Sequence, residues 1–275
     1  MTAATRAPRT TGDGTVHFGL VELDLLATHA GVAMPFPLRV PSFGRIPGER
    51  EVLLGTAGQT LRARGLADDS GPLGPAAELV AALHQHRSTV DLVLTGPEGT
   101  IAVVAVVYRS TAMICHQPLT GDPANTVAVR RVPDNELTRE LLAFVPDVAP
   151  ARSMPITLPA RAVNGARDVL DGVSADREKE RRLRELVREC GGDPGMLDQL
   201  AGLLPEVRGR GQLGVTRRAR AGDLREGAEL SWLDGPRGRV RVSFASEHWM
   251  SVNPLRQNDL RSSLEELATM ARAHR

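Results

Sequence analysis

Between Thr89 and Val132 the chain alternates β-branched runs with tight-turn residues, and few folds accept that pattern. TVDLVLT opens the stretch, Gly96-Pro97-Glu98-Gly99 turns it, and TIAVVAVVYR carries it on. TAMICHQPL and TVAVRRV follow, separated again by Gly, Pro, Asp and Asn. Stiff Val, Ile and Thr side chains suit a pleated surface, and short polar breaks suit hairpins. The stretch therefore predicts four strands in an antiparallel meander. Ile101–Tyr108 is apolar almost without a break, which implies cover on both of its faces.

Helical spacing fills the chain on either side. Val16–Leu20 reads as a short strand. Glu22–Ala30 then puts Leu23, Leu26 and Ala30 on one face, with Gly31 as a stop. Met34–Pro47 holds four prolines and predicts an extended arm. Gly48–Gly65 resumes the helical period through Val52, Leu53, Ala57 and Leu61, led by acids and ended by arginines. Gly74–His86 does the same through Ala76, Leu79, Val80 and Leu83, and Asp134–Val145 through Leu137, Leu141, Phe144 and Val145. Arg161–Leu170, Asp176–Cys190 and Pro194–Leu204 predict three more helices, a small bundle. The middle one is heavily charged and offers only Leu183, Leu186 and Val187 for burial. Strands return over Gln212–Ala219, Ala228–Leu233, Arg239–Phe244 and His248–Val252. A last helix follows, with Asn253 as its cap and Pro254 in its first turn.

The two halves echo each other. Asn135-Glu136-Leu137 with Leu141 matches Asn258-Asp259-Leu260 with Leu264, each after a strand that closes in proline. Each half also carries a Gly-Pro-X-Gly turn, at Gly96–Gly99 and Gly235–Gly238. The turn joins the first strand pair in one half and the middle pair in the other. The expected fold is α+β: a central antiparallel sheet built from two pseudo-repeated halves, flanked by helices and a small helical bundle. The expected organisation is a disordered tail over 1–14 and a single domain over 15–275. Its halves are 15–146 and 160–275, with a Pro-rich linker at 146–159, which holds four prolines.

No pattern of reactive residues stands out. Gly209-Arg210-Gly211-Gln212-Leu213-Gly214 matches G-x-G-x-x-G, but a dinucleotide loop follows a strand and opens a helix. Here a helix precedes and a strand follows, so a plain turn is the simpler reading. His84 and His86 diverge on a helix, and Cys115-His116 lies elsewhere, so no four-ligand metal site emerges. Cys115 and Cys190 read as reduced, unpaired thiols. Asp68-Asp69 and Glu265-Glu266 read as solvated carboxylates. Arg208, Arg210, Arg217, Arg218 and Arg220 make a basic stripe that offers a nucleic-acid reading. Asp223, Glu226 and Glu229 dilute it, aromatics are 3% of the chain, and net charge is +1, so a charged strand edge explains it more simply. The N-terminus has no apolar signal core and no run nears the ~20 apolar residues of a membrane span, so membrane insertion is not expected.

One resemblance goes further. ELDLLATHAGVAMPFPLRVPSFGRIPGERE, followed by a helix ending LRARGLAD, resembles the opening of the EspG family of ESX (type VII) secretion-associated proteins of actinobacteria. The likeness continues through Leu79–Leu83, VDLVL at Val90–Leu94, GPRGRVRVSF and HWMSVNP with the closing helix. The resemblance implies a cytosolic chaperone rather than an enzyme, with no cofactor, nucleotide or metal. It also implies PE/PPE-like or WXG-type helical clients held soluble for delivery to a membrane secretion machinery. By position it assigns client contact to the turn Gly96, Pro97, Glu98, Gly99, Thr100 and, in the second half, to Leu200, Leu203 and Leu204. An apolar face with a polar rim suits such a client. Monomer and homodimer are both compatible with these patterns.

Overall fold

The structure, a computed structural model, describes residues 14–120, 126–172, 174–203, 207–219, 222–246 and 248–273. Strand β1 (Val16–Gly19) leads into helix α1 (Leu20–Ala30), which stops at Gly31. The proline-rich arm that follows stays irregular until α2 (Pro47–Ala63). A small ladder unforeseen in the sequence, β2 (Ala67–Asp68) with β3 (Gly71–Pro72), comes next. Asp68 shapes it by accepting the N–H groups of Ser70 at 2.8 Å and Gly71 at 3.1 Å. The Asp68 carboxyl is held below its usual range, first by the Ser70 hydroxyl. It is a turn residue as well as a solvated one.

Helix α3 (Gly74–Gln85) precedes the expected meander: β4 (Ser88–Gly96), β5 (Gly99–Tyr108), β6 (Thr111–Pro118) and β7 (Thr126–Pro133). Ala102–Val107 of β5 are all almost wholly buried, as the unbroken apolar run implied. A 3-10 turn and α4 (Leu137–Leu142) follow. Then come β8 (Ile156–Pro159), α5 (Ala160–Asp171), α6 (Asp176–Glu189) and α7 (Pro194–Leu203). The second meander is β9 (Gly209–Ala219), β10 (Gly222–Gly235), β11 (Gly238–Ser246) and β12 (Trp249–Pro254), closed by α8 (Gln257–Ala273).

The ten-stranded sheet runs β1-β7-β6-β5-β4-β9-β10-β11-β12-β8. Read from either end, the order repeats: a strand preceding a helix, then a four-strand meander in reverse. This is the internal duplication the sequence echo pointed to. Leu137 and Leu141 in one half, and Leu260 and Leu264 in the other, are all buried in the helix after the meander. The chain divides into two compact units. One comprises Met1–Val145, Leu213–Glu229 and Leu264–Arg275; the other comprises Pro146–Gln212 and Leu230–Ser263.

Several details depart from the expected elements, each for a local reason. Val52 is 69% exposed; the buried stripe of α2 is Ala57 and Leu61, and Val52 lies off it. Asn253 and Pro254 end β12, because Asn253 pairs with Arg241 and Pro254 with Val240; the helix starts three residues later. The stretch 146–159 ends in β8, whose Ile156 and Leu158 are buried against β12. Upstream, Arg239 donates its N–H to Ala149 at 2.8 Å and accepts from Ala151 at 3.0 Å. Of the expected α6 leucines, Leu183 and Leu186 are half-buried and only Val187 is buried.

Both sheet edges are chemically closed. On β1 the outward groups belong to His17 and Gly19. Arg64 donates to the His17 carbonyl at 2.6 Å, and Glu22 accepts the Gly19 N–H at 2.8 Å. Arg64 and Glu22 pair with each other at 2.7 Å. On β8 the register with β12, continued by the Ala160 N–H bonding His248, turns positions 157 and 159 outward. Pro159 has no N–H, and neither has Pro155 just ahead of the strand. An edge poor in free donors resists strand addition.

Candidate partner-binding surfaces

The Gly96–Thr100 turn is a two-residue hairpin, with Gly96 paired to Gly99 and Thr95 to Thr100. Pro97 and Glu98 are exposed at its tip; Gly96, Gly99 and Thr100 are half-buried. Gly99 has φ +122, and a Cβ there would lie 2.1 Å from the Thr120 hydroxyl. Only glycine fits both constraints. Thr120 accepts the Thr100 N–H at 2.8 Å, Thr95 and Thr100 hydroxyls meet at 3.0 Å, and the Thr100 carbonyl accepts from Leu119 at 2.7 Å. The turn is thus a short, braced knuckle.

In the other unit, α7 lies on the core with Met196, Leu197 and Leu200 half-buried around Leu203, which is 9% exposed. Val187 of α6, Ile156 and Leu158 of β8, and Val240 and Met250 belong to the same cluster. Leu200 and Leu203 therefore sit together in a packed layer, and Leu204 lies outside the described residues. Leu203 also lines a small crevice beside the second Gly-Pro-X-Gly turn, Gly235–Gly238.

Sequence reasoning did not single out the apolar side chains that this unit exposes. Phe244 is 59% exposed, Met154 74% and Trp249 39%. Phe244 and Trp249 flank the β11–β12 connection, and Phe244 extends the face that carries Val240 and Val242. The available signal was aromatic residues at a hairpin end in a chain with few aromatics.

The polar motifs resolve into structure. Gly211 and Gly214 lie inside β9 and not in a turn. A Cβ at Gly211 would fall 2.0 Å from the Trp232 ring, and one at Gly214 would fall 2.2 Å from the Arg225 guanidinium. The glycine pattern is spacing for two large neighbours. Arg210, Arg217 and Arg218 of the arginine stripe lie on β9, an interior strand rather than an edge. Arg217 pairs with Glu226, and Arg218 donates to the Leu83 carbonyl at 3.0 Å; Arg220 is outside the described residues. His84 donates to the Ala30 carbonyl and His86 to that of Leu83, so both tie down helix ends. Burial pushes the Cys115 thiol up to about 12, and Cys190 is half-buried and unpaired. Among the described residues no three His, Cys, Asp or Glu gather as metal ligands, and no helix is long and apolar enough to cross a membrane.

The chain is a duplicated meander clad in helices whose sequence motifs serve packing. Comparison places it more narrowly. The EspG family model matches residues 20–266, and the chain belongs to that family. Among solved structures it is similar to EspG5, the Mycobacterium tuberculosis type VII secretion system chaperone, determined in complex with a PE25–PPE41 dimer. The TM-score is 0.64 at 12% identity, with 92% of this chain and 95% of that one covered. At that identity the likeness is one of fold. No relative among curated proteins matches the chain.

Proposed function

We propose that this protein is a cytosolic type VII secretion chaperone that binds a PE/PPE-like or WXG-type helical client, keeps it soluble and hands it to the secretion machinery. The observation that carries the reading is the family match over nearly the whole chain, joined to a fold shared with a chaperone solved on its helical clients. The chemistry agrees. A helical client with an apolar end aggregates unless that end is covered, and an apolar surface with a polar rim covers it without reaction. The chaperone acts by binding, not catalysis.

Client contact is assigned to two surfaces. One is the braced turn Gly96–Thr100, where Pro97 and Glu98 project. The other is the α7 layer, with Leu200 at its surface and buried Leu203 holding the helix in place; Phe244 and Trp249 supply further aromatic anchors in that unit. The test is co-expression with PE/PPE-like and WXG-type proteins from the same genome, followed by size-exclusion chromatography. A soluble co-eluting client is expected. Pro97→Asp and Trp249→Ala should each weaken capture about tenfold, the loss of one anchor worth ~1.4 kcal/mol. A client that stays insoluble or elutes alone under every pairing overturns the reading.

A further inference from the structure

In the first unit a groove opens where the sheet outruns its helix. Val104 and Val106 face the core under α3, and Tyr108, Met113 and Arg131 continue that face, with Met113 paired to Val106 and Arg131. Beside them α3 presents Ala77 and Ala81, one turn apart and too small to close the gap. The resulting groove is lined also by Glu78, Arg109 and Thr111. Met113 is 3% exposed at its floor.

The rim is charged and held. Arg131 pairs with Glu78 at 3.1 Å, with both side chains about half in water. Arg109 stands at the tip of the β5–β6 hairpin with φ +54, alone in the left-handed region among described non-glycine residues. That conformation is strained for a residue that carries a Cβ. Its guanidinium lies 4.8 Å from the Tyr108 ring centroid. Strain, cavity and charge thus coincide at one place. Two arginines against one glutamate leave the lining net positive.

We propose that this groove binds a peptide segment in which a carboxylate adjoins an apolar side chain. The carboxylate bridges Arg109 and Arg131, whose planar forks match it. The apolar neighbour packs against the Tyr108 ring between Ala77 and Ala81, above buried Met113. A phosphate fits less well, since Glu78 opposes a second negative charge and the apolar floor stays uncovered. The proposal stands apart from the client surfaces above.

The test uses the full chain, isotope-labelled for NMR. Acetyl-Leu-Glu-Leu-amide is titrated against its glutamine twin, with inorganic phosphate as a third probe. Shifts confined to 77–81, 108–113 and Arg131, at least fivefold tighter for the glutamate peptide, are expected. Arg131→Ala and Arg109→Gly, the second relieving strain, should each weaken binding about fivefold. Ala81→Leu keeps both charges, fills the groove and should abolish the shifts. Equal binding of the glutamine peptide, phosphate binding as tightly as the glutamate peptide, or an unaltered Ala81→Leu variant overturns the proposal.

Discussion

The two units bury opposite charges. In the first the most deeply buried ion is a carboxylate. Asp91 on β4 is 1% exposed, and Arg225 reaches it from a side chain about a third in water. One Asp91 oxygen has no protein partner among the described residues, and burial pushes this carboxyl up against the pull of Arg225. In the second the buried ion is a guanidinium. Arg239 is fully buried and meets Asp234 at 2.6 and 2.9 Å, Gln257 at 3.1 Å and the Pro146 carbonyl at 2.9 Å, with the Trp232 ring 5.5 Å away. A charge out of water is tolerated when its hydrogen bonds are met. Arg239 meets nearly all of its own; Asp91 meets half. The second pair organises its surroundings, while the first is a neutralised liability.

The largest effect should come from cutting the better-satisfied pair. Arg239→Met leaves Asp234 without its fork and frees the 146–151 segment, so a loss of about 4 kcal/mol in urea unfolding is expected. Replacing both partners, Arg239→Met with Asp234→Leu, should recover a substantial part, since an apolar pair does not strand a charge. A single variant within ~1 kcal/mol of the parent would remove the distinction between the units, because a charge worth organising around cannot be so cheap to lose.

Arg225→Ala sharpens the same contrast. It leaves Asp91 buried and unpaired, at about 2 kcal/mol after allowance for the exposure of Arg225. Asp91→Asn should cost less, near 1 kcal/mol, because Arg225 can turn to Glu229, already 3.5 Å away. The pH sign follows from the raised carboxyl. The folded state binds this proton more tightly than the unfolded chain, so its contribution is complete below about 3.9 and is lost as pH rises through the folded value. The deficit of Arg225→Ala should therefore shrink on acidification in matched urea titrations at pH 4.5 and 7.

The edges differ as the buried ions do, one closed by an ion pair and the other by proline. Pro155→Val with Pro159→Thr restores two donors on β8, and light scattering should then report concentration-dependent association. Arg64→Ala opens β1 less, since Glu22 still holds the Gly19 N–H, and should cost about 1 kcal/mol with little association. Association by Arg64→Ala alone would reverse the ranking of the edges.

What was legible in the chain follows the same physics. The meander, the duplicated leucines and α1 to α3 rest on local period and turn chemistry, which sequence carries. β8 was hidden because three residues between prolines have no period to read, and its pairing is with a strand 90 to 96 residues on. The start of α8 was misplaced because Asn253 and Pro254 suit a cap as well as a strand end, and only the pairing with β11 decides. Gly211 and Gly214 looked like a turn because their reason is Trp232 and Arg225, residues no local window contains. The turn Gly96–Thr100 was readable as a knuckle, whereas Phe244 and Trp249 were not, since exposure at a hairpin end is a tertiary outcome.

The smallest effect concerns histidine, and it falls within the first unit. Burial holds His86 and His116 below the usual imidazole range, with Arg218 adding to the effect at His86 and His17 at His116. The unfolded chain takes up these protons first, so the stability they contribute is present above about 6.5 and is lost as pH falls toward the folded values. His86 also donates to the Leu83 carbonyl where α3 ends, and Arg218 donates to that same carbonyl. A protonated ring would bring a second cation against that arginine. Stability should thus decline by a few tenths to ~1 kcal/mol between pH 7 and 5.5, and His86→Gln should flatten about half of that slope. An unchanged slope in His86→Gln would assign the acid sensitivity to His116.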